Sequence, residues 1–138
     1  KLSDFCIARK VDNEAQMEDG VPTKLQGTIM YLAPETIPVE DKFCIISRDS
    51  DAYSFGVLMW AVLTCSTPFA GKNMYLLKKD IRDGKAVLDF THIQDQDMQN
   101  IVKALCQFSR KDRPSDAQII KDLSEKNRAT PALLAIEK

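Results

Sequence analysis

Apolar positions are concentrated in one stretch of this chain. Between Phe55 and Leu63 every residue except Gly56 carries an apolar side chain, so no polar face appears at helical or strand spacing. Such a segment belongs inside a protein or a membrane. It is shorter than the roughly 20 residues of a bilayer span and longer than a typical strand of about 4–8 residues. The range 51–64 therefore predicts a central helix buried on all sides, which by itself indicates only a hydrophobic core.

The region before this helix alternates between polar and apolar segments. Residues 1–9 alternate loosely and predict two short strands around a turn. Residues 10–26 are polar with few apolar positions, which is typical of a mobile loop. Apolar character returns over residues 27–32, and residues 36–48 form a second irregular region in which a short initial helix is one alternative.

Three more helices are predicted after residue 64. Asn73 is placed to cap the first, which Gly84 ends. The second starts at Asp95 or Asp97 and has the strongest amphipathic spacing, at Met98, Ile101, Val102 and Leu105. The motif Ser115-x-x-Gln118 resembles a capping box for the third. The fold class is therefore mainly α, a helical bundle around a buried central helix with a small strand pair at the N-terminus. Ser50 and Asp51 are expected at the start of the central helix, where they can accept backbone N–H bonds.

Composition narrows the class of protein only slightly. The 138 residues are 44% hydrophobic and 28% charged with a net charge of −1, which is ordinary for a globular domain and favours neither nucleic acid nor an anionic membrane as partner. One histidine excludes a His-rich metal site. The four cysteines form no Cys-x-x-Cys pair, which predicts reduced thiols in a cytoplasmic protein. No membrane span is predicted, and the start at Lys1 indicates a fragment of a longer protein.

Three separated motifs carry a family resemblance. The first is Asp4-Phe5-Cys6, the second is Ala33-Pro34-Glu35, and the third is the Ser50–Gly56 segment, which Asp112-Arg113-Pro114-Ser115 follows downstream. In this order and spacing they resemble the Asp-Phe-Gly and Ala-Pro-Glu signatures and the C-terminal lobe of a protein kinase. The resemblance spans about residues 1–123.

The closest likeness is to the tyrosine-kinase-like group. The segment Leu58-Met59-Trp60-Ala61-Val62-Leu63 is similar to the receptor-interacting serine/threonine kinases. The resemblance implies a partial kinase domain over residues 1–124 and a tail over residues 125–138. It implies transfer of the ATP γ-phosphate to protein serine or threonine hydroxyls, with ATP and Mg²⁺ as cofactors. The partner would be a protein substrate or signalling protein, and a kinase–kinase dimer is compatible with it.

The resemblance also assigns roles to residues before the central helix. Asp4 would hold the Mg²⁺ that bridges the ATP phosphates, since Mg²⁺ is bound by few protein carboxylates in strict geometry. Phe5 would pack inward beside the nucleotide, and residues 10–26 would be the central part of the activation loop. The simpler alternative for Asp4 is an aspartate that belongs to a turn and binds no metal.

Residues 27–31 would serve substrate binding and regulation. Gly27 and Thr28 would form the platform for the substrate residue, and a threonine here favours serine/threonine specificity. Thr23, Thr28 and Tyr31 are candidate phosphorylation sites, because a phosphate can order a loop through cationic partners. Thr23 is favoured, since the family uses the threonine at position 28 architecturally.

Four further residues would be structural. Glu35 would pair with Arg113 across the lobe, and a buried carboxylate needs such a cation. Asp51 would accept hydrogen bonds from backbone N–H groups of the catalytic loop. Trp60 would be a core residue.

Two departures from the family pattern limit the catalytic reading. Cys6 occupies the glycine position of the first motif, which narrows the conformations open to that turn and favours a pseudokinase scaffold as the alternative. The Gly-rich loop, the strand lysine and the catalytic base would lie upstream of Lys1, so no catalytic residue is expected in this fragment and it should be inactive alone. A third alternative is an unrelated helical domain that matches by chance.

Overall fold

The computed structural model describes residues 5–10, 20–39 and 43–129. Within these ranges the chain forms four α-helices and one pair of short antiparallel strands. The strands are β1 (Val21–Thr23) and β2 (Cys44–Ile46), and the helices are α1 (Arg48–Thr64), α2 (Met74–Arg82), α3 (Gln96–Leu105) and α4 (Asp116–Ala129). Short 3₁₀ helices cover Ile29–Tyr31, Pro34–Thr36 and Arg110–Asp112. The mainly helical fold class with a small strand pair is confirmed.

The strand pair does not lie where the sequence pattern predicted it. Val21 pairs with Ile46, and Thr23 pairs with Cys44, so β1 falls in the predicted loop and β2 in the predicted irregular region. Residues 5–10 contain no strand and instead form a turn in which the Ala8 N–H donates to the Phe5 carbonyl at 3.0 Å. Strands of three residues are too short to show alternation, which explains the error. The rest of the predicted strands and of the mobile loop, residues 1–4 and 11–19, lies outside the described ranges.

Helix α1 begins one turn earlier than expected because a different serine caps it. Ser47 is the N-cap, and its hydroxyl accepts from the Ser50 N–H at 3.3 Å. The Ser50 hydroxyl accepts in return from the Ser47 N–H at 3.2 Å, which completes a capping box. The helix ends at Thr64, where Cys65 turns into the left-handed region with a φ of 50°.

The expectation that α1 is buried on all sides is wrong for one face. Tyr53, Val57 and Trp60 are buried. On another face, Leu58 is 49% exposed and Val62 is 67% exposed. Hydrophobicity all round the helix predicted burial all round, but within the described ranges packing partners are present mainly on one side.

The caps of the later helices follow the sequence closely. The Asn73 side chain accepts from the N–H groups of Tyr75 and Leu76, at 2.9 and 3.3 Å, and so caps α2. Asp95 caps α3, which decides between the two predicted starts. Helix α2 ends before Gly84, whose φ of 70° suits a glycine.

The last helix starts as predicted but extends further along the chain. The Ser115 hydroxyl accepts from the Gln118 N–H at 3.3 Å, while the Gln118 side chain donates to Asp122 and does not complete a capping box. The helix continues to Ala129, past the expected boundary at residue 124. Lys126 pairs with Asp95 and holds α4 against the start of α3.

The core lies between α1, α3 and the loop segments on either side of them. The main cluster of buried apolar residues comprises Ala33, Tyr53, Val57, Trp60, Leu88, Ile93 and Val102. A smaller cluster joins Ile37 to Leu77 and Ile81 of α2. Both clusters include a residue of the 33–37 segment, so the core fixes that segment against the helices. No helix in the described part of the chain is long and apolar enough to cross a membrane.

Candidate functional site

The most elaborate polar centre of the described residues is an ion pair between Glu35 and Arg113. The Nη1 atom of Arg113 donates to Glu35 Oε1 at 2.7 Å, and the Nη2 atom donates to Oε2 at 2.8 Å. The Arg113 side chain is fully buried, while that of Glu35 is 20% exposed. This two-pronged geometry matches the planar guanidinium to the carboxylate, and it is stronger and more specific than a single contact. It brings together the second and the downstream motif, as the sequence analysis predicted.

Arg113 also satisfies three backbone carbonyls around the pair. Its guanidinium donates to the carbonyls of Gln107 at 2.9 Å, Asp49 at 2.7 Å and Phe108 at 3.2 Å. Its Cζ lies 5.0 Å from the centre of the Tyr53 ring, within range of a cation–π contact. A buried arginine with all its donors used is energetically tolerable, and it joins four segments of the chain at one point.

The ionisation of Glu35 follows from this environment. Burial alone would raise the pKa of Glu35. The hydrogen bonds and charge of Arg113, with a further hydrogen bond from Ser50, outweigh burial and hold that pKa below its ordinary value of 4.5. Glu35 is therefore ionised at neutral pH.

Ser50 is a member of the centre that the sequence analysis missed. Its hydroxyl donates to Glu35 Oε1 at 2.9 Å while it also belongs to the capping box of α1. The sequence pattern alone predicts for Ser50 only a role at the start of the helix. Ser50 belongs to the third motif, which could have drawn attention to it. Its contact with Glu35 spans 15 residues, and a contact of that kind leaves no periodic pattern in the sequence.

The proposed substrate platform lies in the sequence between β1 and Glu35. Gly27 has a φ of 101°, a conformation that L side chains rarely adopt, and a Cβ there would approach Leu32 to 3.3 Å. Thr28 follows on the exposed surface, and its side chain makes no capping hydrogen bond. The Tyr31 carbonyl accepts from the Ser54 hydroxyl at 2.7 Å, which attaches this segment to α1.

The three candidate phosphorylation sites differ in exposure. Thr28 is exposed, Thr23 is half-buried in β1, and Tyr31 is half-buried where it packs against the main core cluster. The Thr23 carbonyl accepts from the Cys44 thiol at 3.2 Å. Thr28 is therefore the most accessible of the three hydroxyls.

The first motif is described only in part. Asp4, the predicted metal ligand, lies outside the described residues. Phe5 is 67% exposed and does not pack inward as expected. Cys6 lies in the turn. Among the described non-glycine residues, only Cys65 and Phe69 have a positive φ, so the φ of Cys6 is not positive. The turn therefore accommodates a cysteine at the family's glycine position without left-handed backbone.

Asp51 and Trp60 occupy opposite parts of α1. Asp51 lies in the first turn, where a carboxylate complements the helix dipole. The residue is exposed overall, but nearby atoms shield its carboxylate and raise its pKa, and the Asp116 charge raises it further. Its contact with a catalytic loop remains a prediction. Trp60 is buried and donates from Nε1 to the Asp89 carbonyl at 2.7 Å.

Side chains that could bind a metal ion do not cluster within the described residues. Among them, no group of three or more histidine, cysteine, aspartate or glutamate side chains is placed to hold a metal ion. In the Glu35–Arg113 centre the two opposite charges bind each other, and both carboxylate oxygens accept hydrogen bonds from the guanidinium. Its chemistry is structural, since it fixes the 33–37 segment and the turn after α3 relative to α1.

Comparison with known proteins identifies a family that this sequence matches. The family model described as protein tyrosine and serine/threonine kinase matches residues 1–123. A putative serine/threonine-protein kinase/receptor of Acanthamoeba polyphaga mimivirus is 32% identical over 133 residues, covering 91% of this chain and 7% of the relative.

Two cellular relatives align over similar ranges. The calcium/calmodulin-dependent protein kinase cmkA of Emericella nidulans is 28% identical over 122 residues, covering 87% of this chain and 28% of the relative. The mouse proto-oncogene serine/threonine-protein kinase mos is 27% identical over 128 residues, covering 89% of this chain and 36% of the relative. The chain therefore spans little more than a third of these relatives at most.

Proposed function

Because this chain belongs to the protein tyrosine and serine/threonine kinase family, we propose that it is the C-terminal-lobe part of a protein serine/threonine kinase. In this proposal residues 1–124 belong to the kinase domain and residues 125–138 form a tail, whose residues 125–129 complete α4. The protein that contains this chain transfers the ATP γ-phosphate to serine or threonine hydroxyls of a protein substrate. The protein also binds a protein partner and lies in the cytoplasm in this proposal. The free thiols of Cys44, Cys65 and Cys106 support the cytoplasmic location.

The bidentate Glu35–Arg113 pair is the single observation that carries the proposal. It joins Ala33-Pro34-Glu35 to Asp112-Arg113-Pro114 across 78 residues, with both oxygens of the carboxylate engaged. Short motif matches arise by chance, but a chance match does not predict a buried salt bridge between its own parts. The proposal therefore draws on sequence and geometry together.

Serine/threonine specificity has two supports. Thr28 follows Gly27 on an exposed platform directly before the Ile29–Tyr31 turn, where the tyrosine-specific members of the family usually carry a proline. The relatives reported above are named as serine/threonine or calcium/calmodulin-dependent protein kinases. We extend the proposal to the tyrosine-kinase-like group, and to a likeness with the receptor-interacting kinases, on the residues Leu58 to Leu63 of α1.

The cofactors in this proposal are ATP and Mg²⁺. The fit of the described residues to the metal is incomplete by themselves, because Asp4 lies outside them and they contain no alternative cluster of ligands. Asp4 would supply a carboxylate to Mg²⁺, and Mg²⁺ would neutralise charge on the phosphates. The rest of the chain would position the substrate: the Gly27–Thr28 platform would hold the peptide, and the ion pair would hold the platform.

A pseudokinase scaffold is the second candidate function, and Cys6 favours it. A cysteine in place of the motif glycine limits the rearrangement of the turn, which an active kinase uses to assemble its metal site. Such a protein would bind partners through the same lobe without transferring phosphate.

The two functions can be separated with the full-length protein that contains this chain. Labelled γ-phosphate transfer to a mixture of peptides, followed by phosphoamino-acid analysis, should give phosphoserine and phosphothreonine. The Asp4→Asn variant should abolish the transfer, because the metal loses its carboxylate while the fold is unaffected. The matched control is Asp97→Asn, which changes an exposed carboxylate of α3 far along the chain.

Three results would contradict the proposal, each in a different part: catalysis, the role of Asp4, and the specificity. Absence of transfer by folded wild-type protein would favour the scaffold, and transfer unaffected by Asp4→Asn would remove Asp4 from the mechanism. Phosphotyrosine as the sole product would overturn the assignment of serine/threonine specificity. Circular dichroism of each variant keeps loss of folding distinct from loss of chemistry.

A further inference from the structure

A cavity of about 300 Å³ lies between the end of α2, the loop that follows it and the end of α3. The wall residues that matter for binding are Tyr53, Ala86, Phe90, Lys103, Cys106 and Phe108. This volume is at the lower end of the range for small-molecule sites in proteins. The cavity is separate from the Gly27–Thr28 platform, none of whose residues lines it.

The lining favours an apolar body with an aromatic ring. Aliphatic side chains supply one part of the wall, and the rings of Tyr53, Phe90 and Phe108 supply another. Aromatic rings attract one another in offset or edge-to-face contacts beyond their area of burial. Phe108 is more than half exposed at the cavity, so part of an aromatic surface is already in contact with solvent there.

The charge of the lining is positive. Lys103 is its one cationic side chain, and the wall contains no aspartate or glutamate. The Lys103 Nζ lies 5.2 Å from the centre of the Phe90 ring and donates to Gln99 Oε1 at 2.6 Å. An ammonium group has three donors, so Lys103 can keep the Gln99 bond and still bind an acceptor in the cavity.

The other ionisable side chains of the wall are neutral. Burial, and then the neighbouring Cys106, raise the pKa of Tyr53. Burial likewise raises the pKa of the Cys106 thiol to about 12. Neither group carries a negative charge at neutral pH, so neither competes with a ligand anion for Lys103.

The cavity wall is held in place by the Glu35–Arg113 centre. Arg113 donates to the carbonyls of Gln107 and Phe108, and its guanidinium lies against the Tyr53 ring. Pro34, another wall residue, directly precedes Glu35. A wall fixed by such contacts needs little ordering when a ligand binds, which lowers the entropic cost of binding.

We propose that this cavity is a binding site for a small aromatic monocarboxylate. The ring occupies the space between Phe90, Phe108 and the aliphatic wall, and the carboxylate accepts a hydrogen bond from Lys103. A single carboxylate matches the single cation, and a charge-assisted hydrogen bond of this kind fixes the orientation of the ligand. Because the wall includes Pro34 and is attached to Arg113, an occupied cavity stabilises the 33–37 segment.

The proposal is tested with naphthoate as the probe and naphthamide as its uncharged counterpart. Calorimetric titration of each into the full 138-residue chain should give at least about tenfold tighter binding of naphthoate, the size expected for one charge-assisted bond. Lys103→Met should remove that preference, because methionine keeps most of the length of the side chain and has no charge. The matched control Lys121→Met, on exposed α4, should retain it. Ala86→Leu, which fills the cavity, should weaken both ligands at least about tenfold.

Each alternative result overturns a part of the proposal. Equal binding of naphthoate and naphthamide would exclude the carboxylate–Lys103 contact, and tighter binding of decanoate than naphthoate would exclude the aromatic preference. Binding unchanged by Ala86→Leu in a variant that stays folded by circular dichroism would place the ligand elsewhere. Absence of binding by wild-type chain would exclude the site. No outcome depends on phosphate transfer, so the proposed function is tested separately.

Discussion

Helix α1 presents two apolar faces that have similar side chains and opposite environments. Tyr53, Val57 and Trp60 recur at helical spacing and are buried, with relative exposures of 6% or less. Leu58 and Val62 recur in the same way but are 49% and 67% exposed. The buried face meets α3, the 33–37 segment and the loop before α3, whereas the described residues leave the second face largely uncovered.

The contrast shows that an apolar side chain favours burial but is buried only where other residues pack against it. Burial on the first face depends on partners with particular shapes, such as the close approach of α3 at Gly56, and with particular polar groups, such as the Asp89 carbonyl beside Trp60. An apolar face of this kind without partners marks a surface suited to further contacts. The following variants test how much of the stability lies on the buried face.

The largest expected effect comes from the buried face itself. Trp60→Ala should lower the free energy of unfolding by about 3–5 kcal/mol, because it opens a cavity and removes the hydrogen bond to Asp89. Leu58→Ala, on the exposed face, should lower it by less than about 1 kcal/mol. Urea unfolding followed by circular dichroism measures both. Similar losses in the two variants would mean that the second face is covered in solution.

A comparable loss is expected where the buried face meets the ion pair. Arg113→Met leaves the Glu35 carboxylate and three carbonyls without their donor, and breaking a buried pair in this way costs about 3–5 kcal/mol. Arg48→Met removes the partner of Asp116 in a pair whose side chains are about half exposed, and should cost much less than Arg113→Met because water screens the two charges. The same unfolding experiment applies. An effect of Arg48→Met as large as that of Arg113→Met would contradict the assignment of stability to the buried pair.

A moderate loss is expected from one added methyl group at the closest approach of α1 and α3. A Cβ on Gly56 would lie 2.6 Å from the Leu105 Cβ and 2.8 Å from the Cys106 sulfur, so Gly56→Ala must push the helices apart. Overpacking of this kind costs about 1–3 kcal/mol. On an exposed helical site the same change would stabilise by up to about 1 kcal/mol. A more stable Gly56→Ala variant would therefore show that the two helices are not in close contact.

The smallest expected effect is a pH dependence confined to one carboxylate. The folded-state pKa of Glu35 is below its ordinary value of 4.5, so its ionised form stabilises the fold above that pH, and the contribution is lost as the pH falls through the folded pKa. Glu35→Gln lacks this contribution at every pH. The difference in free energy of unfolding between wild type and Glu35→Gln should therefore shrink as the pH decreases below about 4.5. A difference that grows in that range would reverse the sign of the assigned shift.

The sequence predicted those parts of the fold that depend on local chemistry. The caps at Asn73 and Asp95 and the spacing of Val102 and Leu105 are readable from neighbouring residues, and α2 and α3 appear where these indicated. The strand pair was misplaced, because strands of three residues have no period to recognise.

The candidate site was predictable where motifs existed and not elsewhere. The pairing of Glu35 with Arg113 came from the family resemblance, and the structure brings the two together. The contribution of Ser50, and of the Gln107 and Phe108 carbonyls, follows only from three-dimensional packing. Backbone carbonyls have no sequence identity, so no pattern of side chains could indicate them.

The span of the Glu35–Arg113 pair also has a consequence for biosynthesis. The two residues are 78 positions apart, so during translation the Glu35 carboxylate has no guanidinium partner until Arg113 has emerged from the ribosome. Helices α1 and α2 can form by then from nearby contacts, while closure of so long a loop comes late. A nascent polypeptide stalled before residue 113 therefore lacks the buried ion pair of the 33–37 segment, which leaves that segment more accessible to chaperones and proteases than in a chain released after that residue.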